Sequence, residues 1–213
     1  MKHNRIKITL LLSAILIGMV PSRGVCQQSA EQIYSAVVKK YGSMTSLKVN
    51  FISNPGSPMK GGGIVKAKKG NKFVLDLGER ILVSNGVTVW NYSKSANSVV
   101  ISNFEDKGQI SIEKVFFTFL QSYKASASFS EQTSTGQKLT TLRLIPPTPE
   151  DMISGVKSIE LGLSPKTLDV LRITITDAST QKWNVSSLKI NVKFPDSTFN
   201  FTPPKGVKSV DMR

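Results

Sequence analysis

His3 and Cys26 are the only histidine and the only cysteine among the 213 residues, and both fall in a stretch that reads as a removable leader. Lys2, Arg5 and Lys7 precede a charge-free apolar run from Ile8 to Val20, the layout of an export signal. At about 13 residues the run is short of the roughly 20 that a membrane-spanning helix needs. Cleavage after Cys26, with Gly24 and Cys26 as the small residues, leaves a mature start at Gln27, and cleavage after Ala30 also fits. A lipid anchor on Cys26 is disfavoured by Val25 and Arg23 in the positions before it. The chain beyond residue 26 is then expected to hold neither histidine nor cysteine, which removes Ser-His-Asp and Cys-His nucleophiles, His/Cys zinc sites and disulfides. Two histidine-free chemistries remain open: a carboxylate pair drawn from Asp76, Glu79, Glu105, Asp106, Glu150 and Asp151, and a Ser-Lys hydrolase. No catalytic residue, metal ligand or cofactor motif stands out, and the chain is read as a non-enzyme.

The charge is one-sided. The formal net charge is +14, falling to +10 once Lys2, Arg5, Lys7 and Arg23 are lost with the leader. Lys66, Lys68, Lys69 and Lys72 cluster in one short region and suit an anionic surface or an acidic partner. No aromatic-basic stacking motif accompanies them, so nucleic acid is not expected as a partner.

Residues 27–213 are enough for a single domain. Ile33, Val37 and Tyr41 recur at helical spacing after Ser29, a capping residue, and before Gly42, so a helix is predicted there. Short alternating runs separated by Gly, Pro, Asn, Asp and Ser follow, the pattern of a meandering antiparallel sheet. Strands are predicted from Leu47 to Ser53, Gly63 to Lys69, Lys72 to Leu77, Arg80 to Ser84, Val87 to Tyr92 and Ser98 to Asn103. Others are predicted from Ala125 to Ser130, Lys138 to Ile145, Ser158 to Leu163, Val170 to Asp177, Trp183 to Phe194 and Thr198 to Thr202. Asn85-Gly86 predicts a type I′ turn that pairs Val83 with Thr88 and Ile81 with Trp90. Ser111 to Ser122 reads as a second amphipathic helix, and Pro146 to Ser154 as a loop with an apolar remnant at Met152 and Ile153.

With acid–base and metal chemistry mostly gone, the remaining candidates are a cavity and a lid. Phe73, Leu75, Leu77, Ile81, Val83 and Trp90 are the candidate cavity wall. Val115, Phe116, Phe119, Leu120, Met152 and Ile153 are the candidate lid. The competing interpretation of each is ordinary core, and the whole chain then reads as a structural envelope protein with dry, filled sheet faces.

Three stretches carry a resemblance. Phe199-Asn-Phe-Thr-Pro-Pro-Lys-Gly-Val207 followed by Asp211 is close to F-x-F-x-P-P-x-G-V-x-x-x-D. Ile81-Leu-Val-Ser-Asn-Gly-Val-Thr-Val-Trp-Asn-Tyr92 follows I-L-V-S-D-G-K-x-x-W-x-Y, and Ala67 to Phe73 is similar, more loosely, to V-K-R-P-x-x-F. Together they resemble the outer-membrane lipoprotein carrier family, LolA. That resemblance implies an α+β, mostly β fold: an incomplete, half-open antiparallel β-barrel whose concave apolar face is covered by helices and receives lipoprotein acyl chains. It implies a periplasmic monomer loaded by an inner-membrane ABC transporter and unloaded at an outer-membrane receptor or the outer membrane itself. A carrier or sensor of another acylated or lipid-like molecule is the related alternative. Where the family has Arg before Pro, this chain has Lys69 before Gly70, so the resemblance implies a lid latch at Lys69, weakened because an ammonium lacks the planar fork of a guanidinium.

Overall fold

The computed structural model describes residues 28–53, 61–105 and 113–213; the leader over residues 1–26, Asp106 and the first two residues of the helix predicted from Ser111 lie outside them. Helix α1 (Ala30–Tyr41) opens with a capping box, in which Ser29 Oγ accepts from Gln32 N and Gln32 Oε1 accepts from Ser29 N. Ile33, Val37 and Tyr41 form its buried stripe, as their spacing requires.

Twelve strands then build one sheet: β1 (Ser46–Ser53), β2 (Gly62–Lys68), β3 (Lys72–Asp76), β4 (Arg80–Asn85), β5 (Thr88–Ser93), β6 (Ser98–Asn103), β7 (Lys124–Gln132), β8 (Lys138–Ile145), β9 (Ser158–Leu163), β10 (Val170–Thr176), β11 (Thr180–Ile190) and β12 (Lys208–Asp211). Their order across the sheet is β12-β6-β5-β4-β3-β2-β1-β11-β10-β9-β8-β7, so β12 and β7 stand at the edges and the barrel is not closed. Neighbours pair antiparallel throughout, except β12, which lies parallel to β6. Three bulges interrupt the ladder, at Asn50/Phe51 against β11, at Val170/Arg172 and at Ala125/Ala127. All fall in the β1 and β7–β11 half, and each bends and twists its strand.

Alternation along the strands gives the sheet an inner and an outer face, and both are covered. On the inner face one apolar cluster joins α1 to Leu47, Val49, Val65, Ala67, Phe73, Leu142, Leu161 and Val185. The outer face has its own core over β3–β6. Val83, Val99 and Phe199 are buried there, outside the inner cluster. The cover is a strap leaving β11: Asn191 turns the chain with φ 54°, a 3-10 turn at Asp196–Phe199 packs on β3 and β4, and the Phe201 ring lies 5.3 Å from that of Tyr92. Asp196 pairs with Lys68 and Lys72, each at 3.3 Å.

The strand predicted from Thr198 to Thr202 is therefore this strap, and the true last strand is β12. Pro195, Pro203 and Pro204 lack the N–H a ladder needs, which keeps residues 195–204 out of the sheet. The β4–β5 turn also differs from expectation. Gly86 (φ 92°) and Val87 form its centre, with Asn85 Oδ1 accepting from Val87 N and Thr88 N. The register is thus Val83↔Trp90 and Ile81↔Tyr92. A Cβ on Gly86 would lie 2.4 Å from Gly70 O, so the β2–β3 and β4–β5 turns meet through bare backbone.

Candidate functional site

The bulges decide which residues floor the inner face. Within a regular strand, residues three apart point to opposite sides. In β10 the bulge before Arg172 puts Val170 and Ile173 on the same face, and in β11 the extra residue opposite Asn50/Phe51 does so for Val185 and Leu188. These four, with Leu47, Val49 and Leu161, floor a cavity of about 50 Å³. Tyr41, Met44, Phe116 and Leu120 complete its lining, and no charged residue takes part.

The roof is an irregular helix. The segment predicted as a regular helix is a π-turn at Lys114–Thr118 running into α2 (Phe119–Ser122). The wider π-turn rotates Phe117 into the core, a residue outside the expected apolar stripe, while Phe116 and Leu120 line the cavity. The side chains of Val115 and Phe119 lie outside the described ones. Met152 and Ile153 are half-buried between two 3-10 turns (Pro149–Asp151 and Ile153–Gly155), and Ile153 packs against the inner core.

Two tyrosines hold these covers together. Tyr34 of α1 places its hydroxyl 2.7 Å from Leu120 O and 3.0 Å from Tyr123 O, at the end of α2. The buried Tyr123 donates its own hydroxyl to Val156 O at 2.7 Å and accepts from Ile153 N at 3.2 Å. Burial raises the pKa of both above the ordinary 10.0, with the Glu31 charge adding to the rise at Tyr34, so both remain protonated donors. The other end of the roof is tied to the β2–β3 turn, where Asn71 N–H donates to the Glu113 carboxylate. That turn is the one expected to carry a latch at Lys69. The Lys69 side chain is exposed and makes no contact with the roof among the described residues, while its N–H donates to Thr45 O at 2.9 Å.

The six candidate wall residues are divided by the sheet. Phe73 and Leu75 belong to the inner core, and Leu77 reaches the same face, its Cδ2 lying 2.9 Å from where a Cβ on Gly63 would stand. Ile81, Val83 and Trp90 point outward, because β3 pairs Val74 with Val83 and Asp76 with Ile81. They lie on the face that the strap covers. None of the six lines the cavity. The bulged strands that do line it break the alternation from which a wall can be read in sequence.

Residues 43–202, three quarters of the chain, match the family model described as outer membrane lipoprotein carrier protein LolA. An outer-membrane lipoprotein carrier protein of Photobacterium profundum is similar at 28% identity over 179 residues, 80% of this chain and 84% of that one. An uncharacterised protein of Methanocaldococcus jannaschii is 27% identical over 210 residues, 93% of this chain, and the chain spans 59% of that relative's length. Among solved structures, an uncharacterised conserved protein from Thermus thermophilus aligns with TM-score 0.48 at 16% identity, over 85% of this chain and 98% of that one. A LolA superfamily protein from Nitrosomonas europaea aligns with TM-score 0.41 at 13% identity, over 82% and 99%. The two stretches that most resemble the family in sequence meet on the outer face, the Ile81–Tyr92 hairpin below and the Phe199–Val207 strap above. With the family model matched from Ser43 through to Thr202, the chain belongs to the outer membrane lipoprotein carrier (LolA) family.

Proposed function

We propose that residues 27–213 form a single periplasmic carrier domain that takes up the acyl chains of lipoproteins released from the inner membrane and delivers them to the outer membrane. The observation that carries this reading is an entirely apolar cavity roofed by a short helix that, among the described residues, is held by two tyrosine clasps and a contact to the β2–β3 turn. At about 50 Å³ it is far below the roughly 300–1,000 Å³ of a filled ligand pocket. On this reading cargo enters only when Phe116 and Leu120 swing out of the cavity.

Energetics set the partners. At about 0.8 kcal/mol per buried CH₂, one chain of roughly 16 carbons carries about 12 kcal/mol. Three such chains exceed the ceiling of about 20 kcal/mol for non-covalent binding. Extraction from a bilayer therefore needs a partner that drives it; the family resemblance implies an inner-membrane ABC transporter as donor and an outer-membrane receptor or the outer membrane itself as acceptor. The protein's own work is to exclude water, which needs no catalytic group.

Filling the cavity from its floor tests the reading. Val185→Phe is expected to cost about 1–3 kcal/mol of stability, to keep the far-ultraviolet circular dichroism, and to lower uptake of a fluorescent acyl probe at least tenfold. Undiminished uptake by the folded variant would place lipid elsewhere.

A further inference from the structure

The cavity floor is apolar, so it grips a hydrocarbon by length alone and does not tell an acyl chain from an alkyl ether or an isoprenoid. The exception lies one step along the sheet. Trp183 sits opposite Ile173 on β10 and two residues before Val185 on β11, both of which line the cavity. Its pairing with Ser53 puts it on the inner face, where its ring meets Phe51 edge-on at 6.4 Å between centroids. Its Nε1 is shielded from solvent and has no hydrogen-bond partner among the described residues. The other such side-chain atom among the described residues, Asn50 Oδ1, is an acceptor on the outer face.

A buried N–H without an acceptor destabilises a fold by leaving a desolvated donor unmade, and it is rare for that reason. An indole N–H can only donate. What it lacks is a carbonyl, and every acyl chain begins with one, the ester or amide that joins it to its headgroup. We propose, resting on the carrier reading, that Trp183 Nε1–H is the polar anchor of the cavity: it donates to the ester or amide carbonyl of the cargo while the methylene chain runs over Ile173, Val185 and Leu188. The site then selects acylated molecules over ether-linked or isoprenoid lipids of equal length, because the donor is unpaired before binding and only a carbonyl-bearing cargo gains a full-strength hydrogen bond from it.

The test compares two phospholipids of identical chain length, one ester-linked and one ether-linked, by displacement of a hydrophobic dye from the full mature chain. The wild type is expected to bind the ester form roughly three- to tenfold more tightly. Trp183→Phe, which keeps an aromatic ring and removes the donor, is expected to lose that preference without changing affinity for the ether. Equal affinity in the wild type, or a preference that survives in Trp183→Phe, overturns the anchor and leaves the carrier reading standing. Uptake of neither lipid by the wild type defeats the carrier reading and the anchor with it. Should Trp183→Phe fail to fold, the indole proton signals of the two tryptophans in the wild type decide the question. Ester binding is expected to shift one signal, assigned to Trp183, downfield while the ether does not, and identical shifts from both lipids overturn the proposal.

Discussion

A tyrosine hydroxyl has one proton to give, and Tyr34 holds its proton between two carbonyls at the end of the roof helix. Removing the oxygen leaves at least one of those carbonyls short of a donor at a half-buried site. Tyr34→Phe is therefore expected to lower stability by about 1–2 kcal/mol in urea denaturation and to speed amide exchange across residues 113–123 while β1 stays protected. Equal loss of protection in roof and sheet would make Tyr34 a global support rather than a clasp. Neither tyrosine clasp is visible in the sequence, because Tyr34 finds its partners 86 and 89 residues away and no local pattern encodes them. Phe116 and Leu120 are legible from helical spacing alone, since a roof must show an apolar stripe to whatever it covers. On the turn that carries Lys69, a tie to the roof runs through the backbone of Asn71, whose φ of 57° turns the chain there. Backbone donors leave no trace in residue identity.

Strand positions can be read from period-two alternation because β1–β6 follow one another as a meander and each turn carries its own Gly, Asn or Asp. Which face points inward cannot, since apolar residues occupy both sides of β3–β5 when both sides are covered. That is why sequence alone groups Ile81, Val83 and Trp90 with Phe73. The register exposes a strain that the sequence run only hints at. Lys189, Lys48 and Lys66 stand directly opposite one another on β11, β1 and β2, on the outer face beyond the strap's single carboxylate at Asp196. Like charges in direct cross-strand pairs oppose folding. Lys48→Thr, which removes the middle charge and supplies a strand-forming residue, is expected to raise stability by about 0.2–1 kcal/mol in low salt. The gain should shrink as added salt shortens the range of the repulsion, a dependence that melting curves at two ionic strengths would show. A gain unaffected by salt would assign it to strand propensity instead.

The molecule is a sheet between two cores, and the carrier reading requires the inner one to open and leaves the outer one shut. Phe199 is the largest fully buried side chain of the outer core, with the Phe194 ring edge-on at 5.7 Å. Phe199→Ala is expected to cost about 3–5 kcal/mol in denaturant unfolding, yet to leave acyl-probe affinity unchanged in conditions where the variant stays folded. A matching loss of affinity would show that the two cores are not independent. The same strap has a bearing on time. β6 acquires its second neighbour from β12, after residues 104–207 have intervened, whereas β1 through β5 pair with their immediate successors. The meander can thus form early with its outer face bare and both edges unpaired, waiting for β11 and β12, which are made much later; exposed edges of that kind invite aggregation. The parallel strand is in this sense a last stitch. A lesion in the strap should leave refolding speed almost untouched and hasten unfolding, so that Phe199→Ala shifts only the unfolding limb of a stopped-flow chevron.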